Sequence, residues 1–166
     1  HSKYLNAVFL HSPTEEFLNK DGSLLEFYNN VKSICGVNVK VGISLRSPED
    51  FLLIRDFKHS LLIETNLSWF DLRILDYLFN EKKHKHFLIA RSIYASGLIN
   101  LIYQQSIGIK NEFEKIDIRS KWDIDFLFNR NQQDVERVEY ISKIMSGESI
   151  SEIALSLFPM ISCFVQ

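Results

Sequence analysis

Residues 4–10, YLNAVFL, form an apolar run that ends abruptly in the polar pair His11-Ser12. Three further apolar runs also end in small polar clusters: Val39–Ile43, Leu61–Ile63 and Phe87–Ala90. Amphipathic, helix-like stretches separate the four runs. Strands that alternate with helices predict a parallel α/β sheet, in which ligands bind beyond the carboxyl ends of the strands. We therefore expect the functional residues of this chain in these polar clusters, which should meet at one rim.

Length and composition restrict the possible classes. A chain of 166 residues that is 46% hydrophobic can bury a core, and residues 1–166 are most simply one domain. The net charge of −2 gives no one-sided field for nucleic acid. No apolar run approaches the roughly 18–20 residues of a membrane span, and no signal peptide is visible. We expect a cytoplasmic protein in which Cys35 and Cys163 are reduced, buried thiols.

Helix signals support the alternation of strands and helices. The predicted helices are Ser23 to the stop at Gly36, Ser47–Phe57, Asp71–Lys83, Gln132–Met145 and Ile150–Phe158, with capping boxes at Ser23 and Ser149. The stretch from Asn100 to Asn131 is predicted to be irregular, and Ile161–Val165 to be a fifth strand. His84-Lys85-His86 is either a solvated helix end or half of a metal site that nothing nearby completes.

Two architectures suit this alternation. A flavodoxin-like doubly wound sheet is complete with five parallel strands, whereas a whole (β/α)8 barrel needs about 250 residues. Length and composition therefore favour the flavodoxin-like sheet. A flavodoxin-like or receiver-like module, however, predicts a glycine-rich phosphate loop or an acidic cluster after its first strand. His11-Ser12-Pro13-Thr14 provides neither.

Six motifs, taken together, favour the barrel. They are Leu10-His11-Ser12-Pro13, Val41-Gly42-Ile43-Ser44, Ile63-Glu64 with Phe70-Asp71-Leu72-Arg73, Ile89-Ala90-Arg91-Ser92 with Gly97-Leu98, Asp117-Ile118-Arg119-Ser120, and Ile150-Ser151-Glu152-Ile153-Ala154-Leu155. In order and spacing they resemble the aldo-keto reductase family, from its fourth strand to the start of its eighth. The arrangement of Arg91-Ser92 and Gly97-Leu98 looks closest to members associated with bacterial surface-sugar pathways. The resemblance implies a partial (β/α)8 TIM barrel with about five parallel strands and outer helices.

The same resemblance implies NADPH as cofactor and a small carbonyl or sugar compound as substrate. His11 stands at the position of the family's catalytic histidine, which orients the substrate carbonyl. Ser44, Glu64, Arg91 and Ser92 stand at cofactor-binding positions, and no metal is implied. Glu64 replaces a usual glutamine, and a carboxylate can only accept hydrogen bonds. Arg91 replaces an aromatic residue, so its guanidinium either stacks on the nicotinamide or pairs with Glu64.

The family's catalytic aspartate, tyrosine and lysine would lie on three strands upstream of His1. We therefore expect the chain to be inactive by itself, and its longer parent to be an NADP-dependent reductase. The alternative is a non-catalytic, degenerate half barrel that serves assembly or partner binding. A partial barrel also has open strand edges, so the chain is expected to form a homo-oligomer if it is stable alone.

Overall fold

The computed structural model describes residues 4–80, 85–106, 132–144 and 147–157. Four strands form one sheet within these ranges: β1 (Ala7–His11), β2 (Lys40–Ser44), β3 (Leu62–Asn66) and β4 (Phe87–Arg91). Each observed strand includes polar residues that the sequence placed after it, because backbone pairing continues past the apolar run. The predicted fifth strand, Ile161–Val165, lies outside the described residues.

Helices connect and follow the strands. They are α1 (Glu15–Asn19), α2 (Ser23–Cys35), α3 (Phe51–Ile54), α4 (Arg73–Asn80), α5 (Leu98–Ser106), α6 (Gln132–Ile144) and α7 (Ile150–Leu155), with short 3-10 turns at Pro48–Asp50 and Ala95–Gly97. The predicted helices ending at Lys83, Met145 and Phe158 run into residues outside the described ranges. α1 was not predicted, although the Thr14 hydroxyl accepts the Phe17 N–H and caps it.

The strand order is β1-β2-β3-β4, and all neighbours are parallel. Chain order and spatial order therefore agree, with no switch point where the order reverses. Right-handed crossovers between successive neighbours place the connecting helices on the same face of the sheet. This topology confirms the predicted parallel α/β fold and matches a segment of a (β/α)8 barrel rather than a doubly wound sheet.

The chain divides into two compact units. Unit 1, His1–Asn66 with Arg73–Arg91, contains the sheet and α1 to α4. Its most buried apolar side chains are Val41, Ile43, Leu45, Phe51, Ile54, Leu61, Ile63 and Ile74. Unit 2, Leu67–Leu72 with Ser92–Gln166, contains α5 to α7 and buries Leu67, Ile99, Ile102, Val138, Ile153, Ala154 and Leu157. The single domain over residues 1–166 stays a prediction.

The prediction of an irregular stretch beginning at Asn100 is wrong for its first seven residues. Helix α5 covers Leu98–Ser106. Ile99 and Ile102 are 0% and 1% exposed, and this spacing of three residues is that of one helix face. Burial of that face within unit 2 stabilises the helix. The remainder of the predicted irregular stretch lies outside the described residues.

Two further expectations about helix ends are wrong. Ser23 does not cap α2 with its side chain, because the left-handed Gly22 (φ 80°) is the N-cap and its carbonyl accepts the Glu26 N–H. His86 is not part of a solvated helix end, because it is only 6% exposed. Its Nδ1 accepts the Leu61 N–H at 3.3 Å, and its Nε2 lies 3.2 Å from the Ile54 carbonyl. His86 therefore joins the start of β3 to the end of α3.

Candidate functional site

The carboxyl ends of the strands carry most of the predicted site residues. The parallel register pairs His11 with Ser44 and Ser44 with Glu64. Residues paired in this way share one face of a sheet, so these three side chains form a row across β1, β2 and β3. The Ser12 N–H donates to the Ser44 carbonyl at 2.8 Å and extends the pairing beyond the row. The predicted convergence of polar strand ends on one rim is therefore present in unit 1.

Arg91 reaches from β4 across β3 to β2. Its Nε donates to Asn66 Oδ1 at 3.0 Å, its Nη1 to Ser44 Oγ at 2.9 Å and its Nη2 to the Leu45 carbonyl at 2.6 Å. All three hydrogen bonds are partly buried. They fix both the position and the plane of the guanidinium, so Arg91 ties together the ends of three strands.

The sequence left open whether Arg91 pairs with Glu64. Within the part of the chain that the structure describes, no ion pair joins these two side chains, and the arginine contacts neutral acceptors instead. Asn66, which the sequence did not single out, takes the place of that partner. Its position could have been read from the period of two along a strand, which puts residues 64 and 66 on one face.

The other rim residues differ in accessibility. Ser44 is 1% exposed, so its hydroxyl holds Arg91 and has little surface for a ligand. His11 is exposed, and its Nε2 lies 3.5 Å from Ser12 Oγ. Ser12 has a left-handed backbone with a φ of 48°. Such strain in a non-glycine residue is often found at functional sites.

The loop that follows β4 belongs to unit 2 and lines an open cavity of about 590 Å³. It is lined by Ser92, Ile93, Tyr94, Ser96, Gly97, Asn100 and Ile150. Ser92, Ala95 and Ser96 have φ values of 57°, 47° and 55°. Three left-handed non-glycine residues within five positions indicate a loop held in a strained form.

Two of the lining residues, Tyr94 and Asn100, have notable polar groups. The Tyr94 hydroxyl donates to Ser151 Oγ at 3.1 Å, which joins the loop to the first turn of α7. Asn100 Oδ1 is buried without a hydrogen-bond partner in the structure as described. Ser92 was predicted as a cofactor-binding residue, whereas Asn100 was missed because its helix was taken for irregular chain.

The described ranges contain neither a cluster of metal-ligating side chains nor a membrane-spanning helix. No group of three His, Cys, Asp or Glu side chains lies close enough there to hold a metal ion. Among the helices of residues 4–80, 85–106, 132–144 and 147–157, none has the length and hydropathy needed to cross a bilayer.

The sequential parallel sheet and its polar rim define the class of fold as a segment of a (β/α)8 barrel. The chain is similar to the solved structure of the glycerol dehydrogenase AKR11B4 from Gluconobacter oxydans, with a TM-score of 0.53 and 20% identity over 90% of this chain. It spans 44% of that structure's length. The predicted resemblance to aldo-keto reductases is thus confirmed for the fold. No protein-family model and no curated protein matches the chain.

Proposed function

We propose that this chain is part of an NADP-dependent aldo-keto reductase that acts on a small carbonyl or sugar compound in the cytoplasm. The observation that carries the proposal is the row His11–Ser44–Glu64 at the carboxyl ends of a reductase-like sheet. The similar structure is a glycerol dehydrogenase, so chemistry between an alcohol and a carbonyl suits this fold.

The rim residues can bind a nicotinamide, with Glu64 and Arg91 in place of the glutamine and the aromatic residue that the resemblance implies. A carboxamide group offers N–H donors, and the partly exposed Glu64 carboxylate can accept them. The planar guanidinium of Arg91, held by three hydrogen bonds, provides a flat surface on which an aromatic ring can stack. Ser44 then acts indirectly, by holding Arg91. When bound, the nicotinamide supplies the hydride for the carbonyl carbon.

His11 is the proposed catalytic residue of this chain. It is exposed at the end of β1, where an imidazole N–H can donate to the carbonyl oxygen of a substrate. Such a donor orients the carbonyl and stabilises the negative charge that develops on the oxygen during reduction. Proton donation itself would come from the tyrosine of the family, which the resemblance places upstream.

The test uses a longer form that carries the upstream aspartate, tyrosine and lysine. We expect NADPH-dependent reduction of carbonyl compounds by this form. His11→Ala should lower its turnover by about 10²-fold, the scale of losing one hydrogen-bond donor to a developing oxyanion. NADPH affinity should stay unchanged, because His11 faces the carbonyl. His59→Ala is the matched control, since His59 stacks on Tyr28 away from the rim. Wild-type turnover in His11→Ala would refute the role assigned to His11.

The isolated chain should reduce no carbonyl compound and bind NADPH weakly or not at all. Titration of NADPH fluorescence with the isolated chain measures this directly. Glu64→Gln restores an amide donor and should tighten any binding that remains.

The second candidate is a non-catalytic half barrel, and one observation favours it. Ser44 is 1% exposed and accepts a hydrogen bond from Arg91, so one of the predicted cofactor positions is closed to direct contact. If the longer form folds but neither binds NADPH nor reduces carbonyl compounds, this candidate is the better one.

Self-association of the isolated chain is part of the proposal. β1 and β4 are the outer strands of the described sheet, and on β4 the apolar side chains Phe87 and Ile89 are 66% and 38% exposed. The unpaired backbone groups of an outer strand can pair with a second copy, and the exposed apolar side chains on the adjoining face of β4 add area that such an interface would bury. Sedimentation equilibrium at micromolar concentration should show an oligomer, and a monomer there would contradict this part.

A further inference from the structure

Among the residues that the structure describes, no carboxylate forms an ion pair with Arg91. Its partners are an amide oxygen, a hydroxyl and a backbone carbonyl, all of them neutral. Removing a guanidinium from water without a counter-ion costs free energy that neutral acceptors offset only in part. A fixed, partly buried and unpaired cation is therefore an unusual structural element and points to an anion that binds from outside.

Arg91 has N–H groups that remain available to such an anion. A guanidinium has five N–H groups. The bonds to Asn66, Ser44 and Leu45 use three, and within the described ranges the other two have no protein acceptor. Because the held groups cannot rotate, little conformational entropy is lost when a ligand binds to the remaining donors.

We propose that Arg91 recognises a carboxylate on the substrate, so that the substrate is a carbonyl compound bearing an acid group, such as a sugar acid. The inference rests on the proposed function and deepens it. A carboxylate is planar and can accept two parallel N–H donors from a guanidinium. Stacking of a nicotinamide uses the face of Arg91, whereas the carboxylate uses its edge. Asn66 is a positioning residue, since it acts only by holding Arg91.

Two neighbouring charges modulate this recognition in opposite directions. Arg46, exposed just after β2, adds positive charge at the rim. Glu64 lies on the same face as Asn66, two residues earlier, and its carboxylate repels an incoming anion. The inference therefore predicts that Glu64→Gln strengthens binding of the anion.

The experiment titrates the ¹⁵N-labelled full chain with D-glucuronate and, as a neutral match, with D-glucose. The Arg91 Nε–H resonance, assigned from its loss in Arg91→Lys, should shift with glucuronate and not with glucose. Arg91→Gln should weaken glucuronate binding by about tenfold or more, the scale of a charge-assisted hydrogen bond. Arg91→Lys, which keeps the charge but loses the planar fork, should be intermediate.

The control Arg55→Gln removes a positive charge at the end of α3, and this variant should bind glucuronate as tightly as the unsubstituted chain does. Thermal unfolding verifies that each variant is folded. If Arg91→Gln fails to fold, Glu64→Gln still decides, because it should raise glucuronate affinity. Equal binding of glucose and glucuronate, no shift of the Arg91 resonance, or tighter binding of inorganic phosphate than of glucuronate would each overturn the carboxylate assignment.

Failure of the inference and failure of the proposed function can be told apart. If the longer form reduces neutral carbonyl compounds with NADPH and Arg91→Gln leaves the KM of acidic ones unchanged, only the inference is wrong. If glucuronate binds at Arg91 but the longer form has no reductase activity, the anion site stands and the proposed function is wrong.

Discussion

The ring of Phe9 on β1 lies directly over Gly42 on β2, its neighbour in the register. A Cβ at position 42 would be 2.8 Å from ring carbon Cζ and closer still to Cε1 and Cδ1. Glycine is therefore required here by space and not by backbone conformation. The close approach lets the Phe9 ring cover one face of the sheet. The same face carries His11 and Ser44 at the carboxyl ends of β1 and β2.

Gly42→Ala should destabilise the chain, because the added methyl group forces the Phe9 ring into another rotamer. Overpacking of this kind costs about 1–3 kcal/mol of unfolding free energy, which urea denaturation measures. Phe9→Leu in the Gly42→Ala background should recover part of the loss, since a smaller side chain makes room. Additive effects of the two changes would show that the ring is not the obstacle.

His86→Ala should destabilise unit 1. Without the imidazole, the N–H of the buried Leu61 loses its acceptor and the carbonyls of Ile54 and Arg55 lose the Nε2 contact. An unsatisfied buried polar group costs about 1–3 kcal/mol. Lys85→Ala, next to it and exposed, should change the unfolding free energy by less than about 0.5 kcal/mol. Equal urea midpoints for the two variants would contradict the joining role of His86.

Trp69→Phe should loosen unit 2. The indole N–H donates to the Ile153 carbonyl at 3.0 Å, and this buried bond fixes α7 to the Leu67–Leu72 segment. Its loss should cost about 1 kcal/mol and speed hydrogen exchange of the α7 amides. Tyr140→Phe, a change at a side chain that is 66% exposed, is the control. Unchanged exchange in α7 would mean that the bond contributes nothing.

The pair Glu148 and Glu152 at the start of α7 predicts a pH effect. A hydrogen bond to Glu152, together with its charge, raises the pKa of Glu148 above its ordinary 4.5. Hydrogen bonds from the Ser149 side chain and backbone N–H lower the pKa of Glu152. Glu148 thus adds stability that is lost as pH rises through its raised pKa. Glu152 adds stability that is lost as pH falls through its lowered pKa.

Glu148→Gln should therefore raise the thermal midpoint slightly at neutral pH, because it removes repulsion between the two carboxylates. The difference from the unsubstituted chain should shrink as the pH falls through the raised pKa of Glu148, where that group becomes protonated in the folded state. The change is complete below the ordinary 4.5, where Glu148 is protonated in the unfolded state as well. Ser149→Ala, which breaks the cap, should lower stability by about 1 kcal/mol at neutral pH. A difference between Glu148→Gln and parent that grows on acidification would contradict the assigned sign.

Local patterns were sufficient to predict much of this fold. The four apolar runs and their polar ends predicted β1 to β4 and the rim. The spacing of apolar residues along the sequence is sufficient to distinguish strands from helices here. The capping box at Ser149 was predicted and is present, since Ser149 and Glu152 bond within one turn. Such features depend on residues three or four positions apart.

Tertiary structure alone decided which polar groups meet. Arg91 bonds Ser44 and Asn66, which lie 47 and 25 positions earlier, and so it does not pair with Glu64. His86, next to charged residues in the sequence, is buried where the end of α3 and the residue before β3 both supply hydrogen-bond partners to it. The side chain of a long residue can reach several strand ends, and only the register of the folded sheet fixes which acceptors lie within hydrogen-bond distance.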